Sequence, residues 1–200
     1  MTKTIPSPLV HSPEEHSIVT LFSSNTLEKI VAIQRQLASL LGDTIWLTPP
    51  QALHVTLMEI ICDTEYKGPS RKEHFQHWYE MYNGAAQDTL ARFSPVDLNF
   101  NELIASKGAI IIKTADSTPF NDIRAELLKN TVLPAQTKVP PDITHCSLGR
   151  YSKAVDLETV QEKVREIMVD INETVHEFKL MKDLGPDFNP VELGSYFLKK

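Results

Sequence analysis

Long apolar runs are missing from this sequence. No window approaches the ~18 uncharged apolar residues of a membrane-spanning helix, which excludes insertion into a bilayer by helices. Cysteine is scarce: Cys62 and Cys146 stand alone in apolar, strand-like runs, which excludes a disulfide framework and a C-x-x-C metal or redox motif and reads as two buried thiols. An excess of basic charge is also missing. At a net charge of -6 the chain has no broad cationic surface with which to wrap duplex DNA, so any phosphate site must be a local pocket. The opening residues, Met1-Thr-Lys-Thr-Ile-Pro-Ser-Pro-Leu-Val, carry no apolar core of a secretory leader, and the chain is read as intracellular and cytoplasmic. Low-complexity tracts and long charge runs are absent too, leaving periodicity and proline as the guides to organisation.

What is there suits a globular protein: 200 residues, 42% hydrophobic and 23% charged, a size at which roughly 70% of the unfolded surface can be buried. The first residues, 1–15, read as a loose arm. Ser17 to Phe22 is β-rich, and Asn25 to Leu41 places Leu27, Ile30, Val31, Gln34, Leu37, Leu40 and Leu41 near a helical period that stops at Gly42. After Ile45-Trp46-Leu47 and the Pro49-Pro50 break, Leu53 to Ile61 reads as a strand. A helix follows within Arg71 to Ala91, its buried face marked by Phe75, Trp78, Tyr79 and Tyr82. Pro95 to Ser106 and Ala109 to Thr114 read as two strands joined at a turn, and a helix starts near Pro119 and runs to about Asn130. A strand at Ile143 to Tyr151, a helix at about Leu157 to Val169, and strands near Val175 to Met181 and Val191 to Leu198 complete the chain. Without a sustained parallel β-α alternation, this order predicts an α+β protein of two similar lobes.

The chemistry rests on an internal match. Pro49-Pro50-Gln51-Ala52-Leu53-His54-Val55-Thr56-Leu57 aligns without a gap with Pro140-Pro141-Asp142-Ile143-Thr144-His145-Cys146-Ser147-Leu148, and both read P-P-x-x-x-H-x-[ST]-L. The offset, from position 54 to position 145, is about half the chain, as a duplicated unit would give. With seven histidines, about one H-x-[ST] arises by chance, so the weight lies in the shared proline pair, the shared leucine and the spacing. In a strand, residues i and i+2 share a face, which puts His54 with Thr56 and His145 with Ser147. Two such strands facing one another surround a cavity with two imidazoles and two hydroxyls. One imidazole can remove a proton from the attacking oxygen, the other can protonate the leaving oxygen, and the hydroxyls can hold the non-bridging oxygens of a phosphate ester. Histidine suits both tasks because its ordinary pKa of about 6.5 lets either protonation state exist near neutrality. No metal and no cofactor enters this scheme. Which histidine is base and which is acid stays open.

These two H-x-[ST]-x tetrapeptides, His54-Val55-Thr56-Leu57 and His145-Cys146-Ser147-Leu148, resemble the signature of the 2H phosphoesterase superfamily. The resemblance in element order extends from about Ser17 to Leu198. It implies one bilobal domain over 1–200, two pseudo-symmetric lobes that each carry an antiparallel sheet flanked by helices, and an active-site cleft between them. It also implies hydrolysis or transesterification of RNA-type phosphodiesters: 2',3'-cyclic phosphates, 2'-5' linkages, or cyclic and short oligonucleotides. His54 and His145 are then catalytic, and Thr56 and Ser147 bind the substrate phosphate. The expected partner is a nucleotide or short oligonucleotide, and the protein is read as a monomer. Two other readings stay open: a nucleotide-binding module that uses the same cleft without turnover, and an interaction protein in which the repeat is architectural.

Other residues carry weaker signals. Arg150 and Tyr151 follow the second motif and could line the cleft, the arginine pairing with phosphate and the tyrosine stacking on a base, although strict alternation puts Arg150 on the face opposite His145. Trp46 and Phe22 could form a stacking wall, against the commoner fate of a strand aromatic as core. His74 and His77 lie one helical turn apart, but Glu73 and Glu80 do not complete an H-E-x-x-H pattern, and both histidines read as polar positions on an amphipathic helix. The stretch Asp156 to Glu166 reads as a solvated helix face.

Overall fold

A computed structural model describes residues 2–6, 15–61, 70–133, 143–182 and 190–199. The order is β1 (His16–Leu21), α1 (Ser24–Leu41), β2 (Ile45–Leu47), β3 (His54–Ile61), α2 (Arg71–Leu90), β4 (Val96–Ala105), β5 (Ala109–Thr114), α3 (Thr118–Asn130), β6 (His145–Tyr151), α4 (Leu157–Val164), β7 (Ile171–Val175), β8 (Glu177–Lys182) and β9 (Val191–Phe197). The helices start where the local chemistry satisfies their free amides. Ser23 accepts from Thr26 N at α1, Ser70 accepts from Glu73 N at α2 in a Ser-x-x-Glu start, and Asp156 accepts from Thr159 N at α4. Helix α1 stops at Gly42, whose φ of 55° suits a residue without Cβ and whose amide bonds Ala38 O.

All strand pairs are antiparallel and form two sheets, ordered β3-β1-β8-β9 and β2-β6-β5-β4-β7. A repeat underlies both. β1, α1 and β3 form a strand, helix, motif-strand unit, and β5, α3 and β6 form a second one, with the motif strand paired to the first strand each time. The helices cross over: α1 leaves the first sheet to pack on β6 and β7 of the second, while α3 leaves the second to pack on β3 of the first. Neither sheet therefore corresponds to one half of the chain. One continuous apolar core, running from Ile18 and Ile30 to Phe120, Phe178 and Tyr196, ties both sheets to their helices.

Two expectations change and one unassigned segment gains a structure. Residues 2–6 are not a loose arm: Thr4 is buried, its amide bonds Val155 O, Ile5 N bonds Lys107 O, and Lys3 bridges Asp156. Ile45-Trp46-Leu47 is a strand that edges the second sheet against β6. The last helix ends at Val164 and leaves Ile171–Val175 free to pair with β4, because Ile171 and Val175 fill the core beside Phe100 and Val96. Cys62 and the Pro140-Pro141-Asp142 segment lie outside the described residues.

Candidate active site

Both motif strands carry a bulge at the same place. On β3 the pairing with β1 runs Val19 with Thr56 and then Ile18 with Met58, so Leu57 has no partner residue of its own. On β6 the pairing with β5 runs Ile111 with Ser147 and then Ile110 with Gly149, which leaves Leu148 over. A bulge inserts one residue and inverts the alternation beyond it. Leu57 and Met58 are both buried, as are Leu148 and Gly149, and the next residues, Glu59 and Arg150, return to the half-exposed face of the histidines. Strict alternation across β6 is thus broken, and Arg150 joins His145 and Ser147 while Tyr151 turns into the core. Tyr151 is 1% exposed and its hydroxyl donates to Ser106 O at 3.0 Å, so it does not line the cleft.

The two strands abut. The His54 backbone amide reaches the Cys146 thiol, whose pKa burial pushes up to about 12. This thiol is an inert core group. The two imidazoles are held alike. His54 Nδ1 lies 2.7 Å from Ala52 O, and since a carbonyl can only accept, Nδ1 carries the hydrogen and Nε2 is left as the atom that gains or loses a proton. The His145 ring bonds the carbonyl of Ile143, again two residues back. Each histidine is held below its usual pKa. For His54 burial is the main cause, with the Arg150 charge adding to it; for His145 burial leads, followed by the positive charges of Arg124, His54 and Arg150. Arg150 therefore acts electrostatically on both imidazoles, and the imidazoles on one another.

Around this centre, Thr56 and Ser147 sit half-exposed on the histidine faces, and neither hydroxyl bonds another described residue. Trp46 pairs directly with Arg150 across β2 and β6 and is half-buried on the same face. Lys113 stands opposite His145 on β5, bound to Glu102 at 3.1 Å. Phe22, by contrast, is half-buried and packs edge-on against buried Phe100 at 5.8 Å, at the margin of the core. His74 bonds the Tyr82 hydroxyl at 3.3 Å on α2.

Two buried polar side chains that the motif does not contain hold the bulges from behind. Arg124 of α3, 5% exposed, donates from Nε to Leu57 O and from Nη2 to Thr56 O, both at 2.9 Å. Gln34 of α1, 4% exposed, donates from Nε2 to Leu148 O and Thr48 O, both at 2.8 Å. Each is signalled in the sequence by a polar residue inside an apolar helical stripe: Gln34 between Ile30 and Leu37, and Arg124 among Phe120, Ile123 and Leu127.

A family model for the 2'-5' RNA ligase superfamily matches residues 47–187, a span that includes both motifs. Among solved structures, TT0787 of Thermus thermophilus superposes with a TM-score of 0.64 at 14% identity, over 92% of this chain and 98% of that one. E. coli LigT complexed with NADP+ gives 0.59 at 13% identity over 94% and 100%, and the MHV ns2 PDE domain gives 0.54 at 18% over 86% and 99%. Comparison with curated protein sequences returns no match. At these identities the structural likenesses speak for the fold, two antiparallel sheets flanked by helices, while the family model spans most of the sequence. The chain belongs to the 2'-5' RNA ligase superfamily, a group of 2H phosphoesterases.

Proposed function

We propose that this protein is a metal-independent phosphoesterase that opens or transesterifies RNA-type phosphodiesters by two-histidine acid-base catalysis in the cleft between β3 and β6. The observation that carries the reading is the equivalence of the two imidazoles. Each is anchored through the carbonyl two residues back, each presents its other nitrogen on the half-exposed face, and each is biased toward the neutral form.

For a 2',3'-cyclic phosphate, a neutral imidazole takes a proton from water as the water oxygen bonds phosphorus. The bond from phosphorus to one ribose oxygen breaks, and the other imidazole, protonated at the start of the turn, gives its proton to that oxygen. Thr56 and Ser147 donate to the non-bridging oxygens, and Arg150 neutralises their charge. Arg150 also keeps a second positive charge on the imidazoles unfavourable until an anion enters. Trp46, beside Arg150, is the surface for stacking a base. LigT has been crystallised with 3'-AMP and with NADP+, which makes a nucleotide a reasonable occupant for the related cleft here. The local charge suits a nucleotide or short oligonucleotide better than a long duplex, and the working unit is taken as a cytoplasmic monomer with one bilobal architecture.

The test is incubation of the purified protein, with EDTA present, with 2',3'-cyclic nucleotides, a 2'-5' linked dinucleotide and a cyclic dinucleotide, beside the His54→Ala/His145→Ala double variant. Chelator-resistant cleavage by the unmodified protein alone is expected. Silence across the panel together with calorimetric binding of AMP or CMP would replace catalysis by nucleotide binding.

A further inference from the structure

The pseudo-symmetry of the site is broken beneath it. Behind the β6 bulge stands Gln34, a neutral amide; behind the β3 bulge stands Arg124, a permanent cation. The two side chains come from the crossed-over helices α1 and α3 and make the same kind of contact, reaching two backbone carbonyls each, one of them the bulged leucine's. The arginine is further fixed by Asn121 Oδ1, 2.8 Å from Nη1, and by the Phe120 ring, whose centroid lies 5.6 Å from Cζ. A guanidinium can hold Leu57 O and Thr56 O at once because Nε and Nη2 point along parallel directions in one rigid plane; a lysine ammonium offers no such fork. We propose that Arg124 is a positioning residue that makes the two halves of the cleft unequal, fixing the β3 bulge that presents Thr56 and His54 and placing a buried positive charge under the phosphate.

Two consequences follow from its place. The Thr56 carbonyl that Arg124 grips belongs to the residue whose hydroxyl faces the cleft, so loosening the grip moves that hydroxyl and, two residues away, His54. Its charge, in a poorly screened interior, reaches His145 across the strand boundary and favours the neutral imidazole there. The other charged or titratable groups around His145, among the described residues, are His54 on β3, Arg150 on its own strand, Lys113 opposite on β5 and Glu102 bound to Lys113. None of them is altered by substitution at position 124. Gln34 provides the internal comparison, since it caps its bulge without adding charge.

The proposal rests on the function proposed above for its catalytic readout, so the test includes one that needs no turnover. The imidazole C–H signals of His54 and His145 are followed by NMR against pH in the full chain, in Arg124→Gln, which copies the neutral cap of the other half, and in Arg124→Lys, which keeps the charge and loses the fork. In Arg124→Gln the His145 titration moves up by about one pH unit, while Arg124→Lys leaves it within a few tenths. Both variants lose between about tenfold and 10²-fold in kcat with little change in KM, since the ligand groups remain and only their placement shifts. A folded Arg124→Gln in which His145 titrates as before would overturn the electrostatic half. Should that variant not fold, Arg124→Lys decides through the amide shifts of Leu57 and Met58 and the His54 ring signals, which must move; unchanged signals overturn the positioning half. If the unmodified protein is inactive on every substrate, the catalytic reading fails while these titrations still decide the role of Arg124.

Discussion

The strands β3 and β6 are two solutions to one problem, and their differences are more informative than their likeness. Both bulge at the leucine of the motif, and both thereby return a charged residue, Glu59 or Arg150, to the histidine face. The residue after the bulged leucine differs: Met58 in one, Gly149 in the other. The reason is β2, which borders β6, whereas among the described residues no strand borders β3 on its outer side. A Cβ on Gly149 would lie 2.7 Å from Trp46 O and 2.9 Å from Ile45 Cδ1, so only glycine lets β2 approach, and β2 is what brings Trp46 alongside Arg150. At the equivalent position β3 carries Met58, fully buried. On β6 the residue after the bulged leucine thus admits a neighbouring strand and its tryptophan, and on β3 it packs the core.

That comparison can be broken at several points. The largest effect belongs to the histidines: His54→Ala and His145→Ala each lower kcat by about 10²–10⁴-fold with circular dichroism unchanged, and the double variant costs far less than the product of the two. Next come the hydroxyls, where Thr56→Ala and Ser147→Ala each lower kcat by about 10²-fold, and a markedly unequal pair of losses would show that the phosphate leans toward one strand. Third, Gly149→Ala destabilises by about 1–3 kcal/mol through overpacking and shifts Trp46 fluorescence, whereas Met58→Ala costs about 2–5 kcal/mol through a cavity and leaves that fluorescence in place. Differential scanning calorimetry with emission spectra separates the two.

A smaller effect is the response to acid. Both imidazoles are held below their ordinary pKa in the fold, so they charge more readily in the unfolded chain. The unfolded state binds more protons below about pH 6.5, and stability falls as pH drops through that value toward the folded pKa. Replacing His145 with Asn flattens this part of the Tm-against-pH curve. The smallest effect is at the outer wall, where Lys179→Ala, which breaks the 2.6 Å contact with Glu192, moves Tm by less than about 2 °C.

The site is legible in the sequence to the extent that it is written in local spacing. His54 with Thr56 and His145 with Ser147 follow from the period of a strand, and the common offset pairs them. What lies beyond reach is whatever depends on a bulge or on a neighbour distant in sequence. Alternation puts Arg150 on the wrong face because it is carried through Leu148 and Gly149, where the register slips. Tyr151 follows the second motif and is core, because the bulge turns it inward, while Phe22 is half-buried against Phe100. The helices follow from their stripes, but nothing in a stripe tells which sheet it covers, so the crossing of α1 and α3 is invisible there. A Gln or Arg inside such a stripe is the available clue, since a buried polar group needs partners that local structure does not provide.

The most direct test of the two-histidine claim is the pH dependence of kcat/KM for a 2',3'-cyclic nucleotide in EDTA, measured for the unmodified protein, His54→Ala and His145→Ala. A bell-shaped profile with its acid limb below pH 6.5, reduced in each single variant to one limb on a much lower plateau, is the expected result. A profile unchanged in shape and height when either histidine is removed would contradict it.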